Sequence, residues 1–426
     1  MDRPPLGRSI KVGASTAVRA KDSATAIPTR SRHRVVVIGG GTAGLTVAAR
    51  LRRAGQSDVA VIEPSEHHYY QPLWTLVGAG QVRAEDTVRA EADYMPRGVT
   101  WVHDAVEEID PIGNTVRTRA GQHIGYDFLV VCPGIQIDWD KIPGLRAALA
   151  TPSVSSNYDF ALTSKTWEMI RDFRGGNALF TSPGTPIKCA GAPQKIMYLA
   201  ADHFARNGVK ANVTFAHAGA VIFGVKEFAA VLTDVIARYG IDVHFKRELT
   251  EVRPGEKEAV FKVVGSESGE TETLPYDIMH VTPPMSAPDF IKRSPLAVTD
   301  SPLGWAKVDK FTLQSPDYPN VFALGDAGST PNSKTGAAIR SQAPVVVANL
   351  LSVMNGKTPA ATYNGYASCP LVTAHDRMLL AEFDYDLKPA PSIPLINLQK
   401  ERYDMYLLKR YGLPWMYWNL MLRGKA

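Results

Sequence analysis

The chain is poor in cysteine, with three thiols, Cys132, Cys189 and Cys369, among 426 residues. That number excludes a disulfide-dense scaffold and leaves each thiol available for chemistry. Long hydrophobic runs are also missing, since no stretch of about 18 uncharged apolar residues occurs, and no membrane-spanning helix is expected. The length nevertheless allows two or three domains, each with its own core.

Positive charge is scarce outside the N-terminal segment. The formal net charge is +5, but residues 1–34 hold eight Lys and Arg against Asp2 and Asp22, which leaves 39 basic and 40 acidic residues elsewhere. A nucleic-acid binder keeps its positive charge on the folded body, so we exclude that class. The Arg-rich, acid-poor composition of residues 1–33 suits a mitochondrial transit peptide, and a merely disordered extension is the alternative.

The pattern after this segment is that of a βαβ dinucleotide-binding unit. A buried strand over residues 35–38 breaks into a glycine turn, and a helix pattern follows over residues 45–55. A second apolar strand at residues 59–62 stops at Glu63, which is placed to accept hydrogen bonds from a ribose. Glycines let the backbone approach a pyrophosphate at the helix N-terminus. The glycines of this fingerprint are Gly39, Gly40, Gly41 and Gly44.

Two later segments each read as a strand that ends in small residues. They are Tyr126–Gly134 and Val321–Gly328, and the second carries Asp326 at the edge where ligands of open α/β sheets bind. Both resemble the later flavin-domain signatures of the two-dinucleotide-binding-domain flavoproteins, the glutathione-reductase-like group. By that resemblance Asp326 contacts the ribityl–phosphate region of FAD, and a plain turn or N-cap aspartate is the alternative.

Residues 155–295 fill the place of the second Rossmann-like domain of that group, without its nucleotide signature. The strand at residues 177–181 leads into a proline-containing loop and Cys189 instead of a second GxGxxG. Prolines remove amide donors that a phosphate cradle needs. The next strand ends at His217 where an acid is expected. These departures argue against a pyridine-nucleotide oxidoreductase.

Taken together, the segments resemble sulfide:quinone oxidoreductases of the mitochondrial type over residues 34–424. The most specific stretches are Glu63–Pro72, Thr75–Gly80, Pro186–Tyr198, Ser333–Thr335 and Tyr366–Thr373. The resemblance implies FAD, hydrogen sulfide as electron donor, ubiquinone as electron acceptor, and a small thiol or sulfite as acceptor of the sulfane sulfur. It implies no metal. The FAD contacts implied by the family fall on Gly40, Gly41, Glu63, Gln71, Val106, Asp326, Lys334 and Gln342.

The redox pair of the family falls on Cys189 and Cys369, joined by a disulfide or a trisulfide. The resemblance implies a persulfide on Cys369 and a released sulfur on Cys189 that faces the flavin. Lys188 and Lys195 can each lower a thiol pKa, but the simpler expectation is a solvated surface lysine. Cys132 departs from the family pattern and is interpreted as a buried small hydrophobe, with a third redox role as the alternative.

Lys334 is expected at the start of a helix that runs over residues 335–347. Its charge and the helix dipole would stabilise negative charge at the flavin N1–C2=O edge, and an exposed first-turn lysine is the alternative.

Residues 399–426 are rich in aromatic, Met and Leu residues punctuated by Lys and Arg. Pro414 is expected to divide two short helical stretches, 401–411 and 415–422, too short to span a bilayer. Such a composition suits an interfacial anchor at a membrane surface. The alternatives are a helix pair packed on the body or in a homodimer interface. The predicted location is peripheral on the mitochondrial inner membrane, or on the cytoplasmic membrane of a bacterium.

The predicted fold class is α/β, with two Rossmann-like domains of the glutathione-reductase type and a C-terminal amphipathic helical membrane-association segment. The predicted division is a disordered extension at 1–33, the FAD-binding domain at 34–154 and 296–380, the second Rossmann-like domain at 155–295, and the membrane-association region at 381–426. Two competing functions stay open: a non-pumping NADH:quinone dehydrogenase, and a flavin-retaining regulatory protein without turnover.

Overall fold

The computed structural model describes residues 30–393 and 396–426. The predicted transit peptide therefore lies outside the described residues up to Thr29. The first nine strands, in chain order, are β1 Arg30–Ile38, β2 Val59–Ile62, β3 His67–Tyr69, β4 Val88–Ala90, β5 Thr100–Val102, β6 Val106–Asp110, β7 Thr115–Thr118, β8 His123–Val131 and β9 Gln136–Ile137. The other strands are β10 Val154–Ser155, β11 Gly176–Ser182, β12 Ala211–His217, β13 Asp242–Phe245, β14 Arg247–Arg253, β15 Glu258–Val263, β16 Thr271–Pro275, β17 Ile278–His280, β18 Met285–Ser286, β19 Val321–Ala323, β20 Ala367–Ala374 and β21 Arg377–Phe383.

Ten α-helical segments accompany these strands in the described residues. They are α1 Thr42–Arg53, α2 Trp74–Val77, α3 Leu145–Leu149, α4 Phe160–Asp172, α5 Ala192–Arg206, α6 Lys226–Tyr239, α7 Asp289–Lys292, α8 Gly336–Met354, α9 Tyr403–Leu407 and α10 Leu413–Met416.

The first sheet carries the dinucleotide fingerprint. Its order is β5-β2-β1-β8-β7-β6, and β19 pairs in parallel with the C-terminal end of β8. The runs Val35–Ile38 and Val59–Ile62 are buried along their whole length, as expected of parallel strands covered on both faces. Because β1, β8 and β19 are parallel neighbours, their carboxyl ends meet at one edge, where the glycine turn and Asp326 both lie.

The second sheet is fully parallel, in the order β10-β17-β11-β12-β13, and a three-stranded antiparallel sheet, β14-β15-β16, follows in the chain between β13 and β17. The first sheet is mixed, with a parallel part and the antiparallel strands β6 and β7, and the second is parallel, so the two sheets with their helices confirm the predicted α/β class. Three predicted domain boundaries, after residues 33, 154 and 380, fall inside the strands β1, β10 and β21. In β1 the strand pairing begins before residue 34 through polar residues, as in Arg30 opposite His123. The division into domains itself stays a prediction.

The hairpin β20-β21 places Cys369 against α5, the helix that follows the Cys189 loop. Cys369 pairs with Ala381 in the antiparallel register. A Cβ on Gly191, at the N-cap of α5, would lie 2.4 Å from the Leu371 side chain and 3.7 Å from Cys369 Cβ. Only a glycine allows this approach, and it brings the two cysteine segments together.

The C-terminal segment is one helical run from Tyr403 to Met421, and the predicted division at Pro414 is wrong. The backbone stays right-handed helical through Gly412 and Leu413, with π-type turns at Leu408–Gly412 and Tyr417–Met421. The wider π turn before Pro414 accommodates the ring where an α-helical turn would place a carbonyl against it.

Within the described residues, α8 is long and apolar enough to cross a membrane by length and composition alone. It packs against α1 and β20 and buries Ala343, Val346 and Leu350, which is the position of a core helix. The helix contains one charged residue, Arg340, and for that reason the sequence shows no uncharged apolar run of about 18 residues here.

Candidate active site

The glycine turn between β1 and α1 is shaped for a close approach of backbone to a ligand. Gly39 has φ +97°, and a Cβ there would lie 2.6 Å from the Cys132 carbonyl oxygen. A Cβ on Gly44 would lie 1.8 Å from the Gly39 carbonyl oxygen, so strand and helix pack backbone to backbone. A Cβ on Gly41 would meet nothing within 4 Å. The turn is therefore packed closely against neighbouring backbone at Gly39 and Gly44, and it leaves open space at Gly41, at the N-terminus of α1.

Glu63 holds the turn at the end of β2. Its Oε2 accepts a hydrogen bond from Gly40 N at 2.7 Å, and its Oε1 accepts one from Ser65 N at 2.7 Å. Burial raises the pKa of this carboxyl above its usual value, although both amides oppose the shift. Glu63 lines a cavity of about 460 Å³ together with Gly39, Val106 and Gln136. This fingerprint cavity has the place and the carboxylate acceptor that a ribose requires.

A second cavity, of about 450 Å³, contains the redox-pair segment, and we call it the thiol cavity. It combines residues predicted as cofactor contacts with residues from the C-terminal run. Those that matter below are Thr42, Gln71, Trp74, Thr75, Asn157, Tyr158, Lys188, Cys189, Lys195, Asp326, Lys334, Arg340, Tyr366, Ser368, Glu382, Ser392, Lys409 and Tyr417.

Cys189 sits in an unusual backbone conformation. Its φ is +58°, in the left-handed region that few non-glycine residues adopt. Its amide donates to the Lys334 carbonyl oxygen at 2.7 Å, and its own carbonyl oxygen accepts from Ala192 N at 2.8 Å. The loop between β11 and α5 is thus tied at once to the start of α8 and to its own helix.

Cys189 and Cys369 shift each other's pKa in opposite directions. The Cys369 thiol donates to Cys189 and lowers the pKa of Cys189 well below its usual value; burial opposes this shift, and the charge of Lys195 reinforces it. The pKa of Cys369 moves well above its usual value, because its proton is held by Cys189 and because it is buried. When both are reduced, Cys189 is therefore the thiolate and Cys369 the thiol.

The sequence-based prediction for Lys195 differs most from the structure. The expectation of a solvated surface lysine is wrong, because Lys195 is 2% exposed and its Nζ donates to Cys189 Sγ at 3.0 Å. Lys188 is half-buried instead of solvated, with Nζ 5.6 Å from the centre of the Trp74 ring. Burial lowers the pKa of Lys188 to about 8.

Lys409, in the C-terminal run, also reaches the thiol cavity, and no feature of the sequence singled it out. It is 1% exposed, and its Nζ donates to the Pro72 carbonyl oxygen at 2.6 Å. Burial, then repulsion from Lys195, lowers its pKa to about 7, with the two cysteines opposing the shift. The only available signal was a lysine inside an apolar helical stretch.

Tyr417 links the same run to the dinucleotide fold. Its hydroxyl is hydrogen-bonded to His68 Nε2 at 2.6 Å and to Thr42 Oγ1 at 2.8 Å. Thr42 is the first residue of α1. Most of the run is therefore packed on the body, as one of the alternatives anticipated, while Tyr403, Tyr411 and Trp415 stay exposed.

Lys334, Asp326 and Gln342 form one structural unit at the start of α8. Lys334 is buried, so the alternative of an exposed first-turn lysine is wrong, and its Nζ donates to the carbonyl oxygens of Asp326 and Gly328 at 2.7 and 3.0 Å. Burial lowers the pKa of Lys334 to about 8. Gln342 is fully buried and its Oε1 accepts from Gly325 N at 2.8 Å. It positions the turn that carries Asp326.

Several buried polar atoms on one wall of the thiol cavity have no hydrogen-bond partner among the described residues. They are the Trp74 Nε1, the Thr75 Oγ1, both side-chain amide atoms of Asn157 and the Tyr158 hydroxyl. Each such atom costs about 1–3 kcal/mol if it stays unpaired. A polar ligand that enters this cavity would remove the cost, so the wall fits the polar edge of a bound flavin.

Cys132 lies away from this unit, behind the glycine turn. It is 4% exposed, with Sγ 3.9 Å from the Gly39 carbonyl oxygen. Burial, with the charge of Glu63, raises the pKa of this thiol far above its usual value. That environment agrees with an inert small hydrophobe.

Comparisons with known proteins decide the family. Residues 33–170 match the family model described as pyridine nucleotide-disulphide oxidoreductase. The mitochondrial sulfide:quinone oxidoreductase of Mus musculus is 48% identical over 398 residues, covering 93% of this chain and 87% of that protein. That of Dictyostelium discoideum is 42% identical, with coverage of 92% and 86%. The chain belongs to the mitochondrial sulfide:quinone oxidoreductase family.

Membership of the sulfide:quinone oxidoreductase family confirms the resemblance found in the sequence and makes the chain an oxidoreductase of a flavin-dependent family. The X-ray structure of the sulfide:quinone oxidoreductase of Aquifex aeolicus is similar in fold, with a TM-score of 0.77 over 93% of this chain and 92% of that one. At 19% identity this likeness supports the fold alone.

Proposed function

We propose that this chain oxidises hydrogen sulfide at Cys189 and Cys369, passes two electrons to FAD and then to ubiquinone, and gives the sulfane sulfur to a small thiol or sulfite. The observation that carries the proposal is the position of the Cys189 sulfur, 3.0 Å from Lys195 Nζ, in the cavity that also contains Asp326 and Lys334, with the Cys369 segment packed against the helix that follows Cys189. A two-thiol centre beside a dinucleotide-binding edge suits sulfur-to-flavin electron transfer.

The residues present fit FAD. The open face of Gly41 and the N-terminus of α1 suit a pyrophosphate, and Glu63 with Val106 suits the adenosine ribose. Asp326, Gln71 and the unpartnered wall of the thiol cavity suit the ribityl chain and ring. When bound, FAD supplies the two-electron acceptor that neither cysteine provides. Lys334 and the N-terminus of α8 would supply positive charge to stabilise the negative charge that the bound cofactor gains on reduction.

The pKa difference between the two thiols determines which sulfur is attacked and which sulfur leaves. Starting from the disulfide, HS⁻ attacks the sulfur of Cys369, the new sulfur–sulfur bond forms, and the bond to Cys189 breaks. Cys189 leaves as the thiolate because its pKa is low, and Lys195 holds the resulting negative charge. The products are a Cys369 persulfide and a Cys189 thiolate, with no electron gained or lost. An acceptor thiolate then takes the outer sulfur, and oxidation of the pair to the disulfide releases two electrons.

The C-terminal run supports access to a quinone in a bilayer. Leu408, Leu413 and Met416 line the thiol cavity from inside the run, while Tyr411 and Trp415 are exposed on its outside. Aromatic side chains with neighbouring Lys and Arg suit a membrane interface. The relatives are named as mitochondrial proteins, and we place this chain peripherally on the inner membrane. A homodimer stays a prediction.

A steady-state assay on purified full-length protein tests the function. Sulfide with a short-chain ubiquinone should give quinol only when a thiol or sulfite acceptor is present, and NADH in place of sulfide should give none. Quinone reduction by NADH at a rate comparable to the sulfide rate would contradict the proposal and favour the NADH:quinone dehydrogenase alternative.

Replacing Glu63 with glutamine should weaken FAD binding and leave sulfur chemistry intact once the cofactor is restored. The carboxylate that accepts from Gly40 and faces the fingerprint cavity becomes a weaker acceptor, a loss of about 1.5–3 kcal/mol for a charged hydrogen bond. The measurement is the FAD content of the purified protein and its dissociation constant. Glu107→Gln, on the same cavity but outside the turn, is the matched control. An unchanged dissociation constant in Glu63→Gln would refute the ribose assignment.

Replacing Trp415 and Tyr411 with serine should release the protein from membranes without loss of fold. Both side chains are exposed, at 59% and 61%, so their removal opens no cavity. Sedimentation with liposomes measures the effect, and turnover with long-tailed ubiquinone should fall more than turnover with a short analogue. Equal sedimentation of variant and parent would reject the interfacial role. Tyr318→Ser, in a loop of the first domain, serves as control.

A further inference from the structure

An arginine pocket lies where the end of the C-terminal run meets the end of α1. Four arginines, Arg52, Arg53, Arg97 and Arg423, line a cavity of about 330 Å³ whose floor includes Tyr94 and Leu422. No acidic residue lines it. Within the part of the chain that the structure describes, none of the four forms an ion pair with a carboxylate.

Two of these guanidinium groups are held in place. Arg52 Nε donates to the Arg97 carbonyl oxygen at 3.1 Å and its NH1 donates to the Gln56 carbonyl oxygen at 2.7 Å. The Arg423 guanidinium lies 4.8 Å from the centre of the Tyr94 ring. Four like charges around one depression repel each other unless an anion joins them. The forked donors of arginine match the oxygens of a phosphate group.

The pocket adjoins the proposed membrane face. Tyr411, Trp415, Asn419 and Arg423 recur at a spacing of four along the helical run, and all four are exposed. We propose that the arginine pocket binds the phosphate group of an anionic lipid. The proposal rests on the membrane contact of the proposed function, because Trp415 brings the pocket to headgroup level. A soluble organophosphate carries the same phosphate group, but it does not account for the exposed aromatic side chains beside the pocket.

Vesicle binding by full-length protein tests this. Arg53→Gln/Arg423→Gln should lose about tenfold or more in affinity for phosphatidylcholine vesicles that contain phosphatidylglycerol, and nothing for pure phosphatidylcholine vesicles. Arg171→Gln/Arg174→Gln, with the same change in charge on α4 and the loop after it, should keep the parent affinity.

An equal loss in both double variants would mean a general charge effect and overturn the pocket. If inorganic phosphate stabilises the parent but not the pocket variant, and both bind vesicles equally, then the pocket binds a soluble phosphate. That result would overturn the assignment to a lipid. Failure of the parent to bind any vesicle would instead reject the membrane contact of the proposed function.

A second, independent observation concerns a buried carboxylate on the opposite face of the cysteine hairpin. Along β20 the side chain of Cys369 faces α5, so the neighbouring Ser368 and Pro370 point to the other side, and both line the thiol cavity. Glu382, paired with Ser368 across the hairpin, lines it too.

Glu382 joins the cavity to the surface. It is 2% exposed, accepts a hydrogen bond from the Tyr366 hydroxyl, and accepts two from Ser392, through Oγ at 2.6 Å and through N at 2.9 Å. Ser392 is exposed. Within the described residues no Lys or Arg forms an ion pair with Glu382. The hydrogen-bonded chain from Tyr366 through Glu382 to Ser392 therefore connects the cavity with solvent.

We infer that Glu382 delivers a proton to the quinone, with Tyr366 and Ser392 on either side of it. The inference rests on the proposed function. Reduction of a quinone to a quinol takes two electrons and two protons. The reduced cofactor would supply both electrons and one proton, and Glu382 would supply the second proton, which it would regain from solvent through Ser392. The apolar residues Leu380 and Leu413 complete this side of the cavity for the quinone ring.

Rapid mixing of full-length holoprotein separates the two half-reactions. In Glu382→Gln, sulfide with sulfite as the sulfur acceptor should bleach the flavin at the parent rate, whereas reoxidation by a short-chain quinone should slow by about a hundredfold. Glu382→Asp should recover part of that rate, because a carboxyl is retained. The residual rate of Glu382→Gln should rise as pH falls, since protons then come from solvent.

Reoxidation of Glu382→Gln at the parent rate, or an equal slowing in Glu382→Asp without pH dependence, would overturn the relay. Failure of sulfide to bleach the parent flavin would reject the proposed function instead, so the two failures are distinguishable.

Discussion

Cys189→Ser and Cys369→Ser are each expected to abolish sulfide-dependent quinone reduction while FAD stays bound. Each sulfur has its own obligatory part, since Cys369 receives the sulfide sulfur and Cys189 is the leaving thiolate. Neither side chain belongs to the glycine turn or to the fingerprint cavity. We expect turnover below about one hundredth of the parent, since a serine hydroxyl neither forms a disulfide nor leaves as an anion at neutral pH.

Cys132→Ala is the matched control for these two variants, because Cys132 is a buried thiol outside the thiol cavity. It should keep its activity and its FAD. A Cys189→Ser or Cys369→Ser protein that retains more than about a tenth of the parent turnover contradicts the two-thiol chemistry. A folded but inactive Cys132→Ala protein would show that the pair is misassigned.

Replacing Lys195 with methionine is expected to slow sulfide oxidation strongly at neutral pH. Lys195 lowers the pKa of Cys189, so its loss raises that pKa, and the thiolate form is then reached only at higher pH. Each unit of the shift removes about tenfold of the thiolate at a fixed pH below the new pKa. The rate of Lys195→Met should therefore recover as the pH is raised, and the parent should not need this rise.

Lys195→Arg keeps the charge and should retain most of the activity, which separates electrostatics from packing. Lys165→Met, on α4, removes a half-buried lysine far from sulfur and should be neutral for the pH profile. A Lys195→Met profile that is lower than the parent profile by the same factor at every pH would contradict the pKa argument.

Much of the fold follows from local patterns. The buried runs Val35–Ile38 and Val59–Ile62, with the glycine turn between them, predict β1, α1 and β2, because short apolar runs rich in Val and Ile on either side of a glycine turn are typical of a βαβ unit. The missing glycine signature after β11 is equally local. The position of the hairpin β20-β21 against α5 could not be predicted from the sequence, since it depends on contacts between distant segments, such as Leu371 against Gly191.

The thiol cavity was predicted in part. Asp326 and Lys334 were expected at a strand end and a helix start, and they are found there. Lys195 was misjudged because a lysine on an amphipathic helix is normally solvated, and only the fold reveals the thiolate that it serves. Lys409 and Tyr417 were missed because they lie more than 200 residues from Cys189 in the chain and meet its cavity only through the packing of the C-terminal run.

The central claim is that sulfide, acting through Cys189 and Cys369, is the electron donor to the flavin. Anaerobic titration of the holoprotein, followed by flavin absorbance, tests it most directly. With sulfite present as the sulfur acceptor, sulfide should bleach the flavin in the parent and in Cys132→Ala but not in Cys189→Ser, and NADH in place of sulfide should not bleach it. Bleaching by NADH, or bleaching by sulfide in Cys189→Ser at the parent rate, would contradict the account.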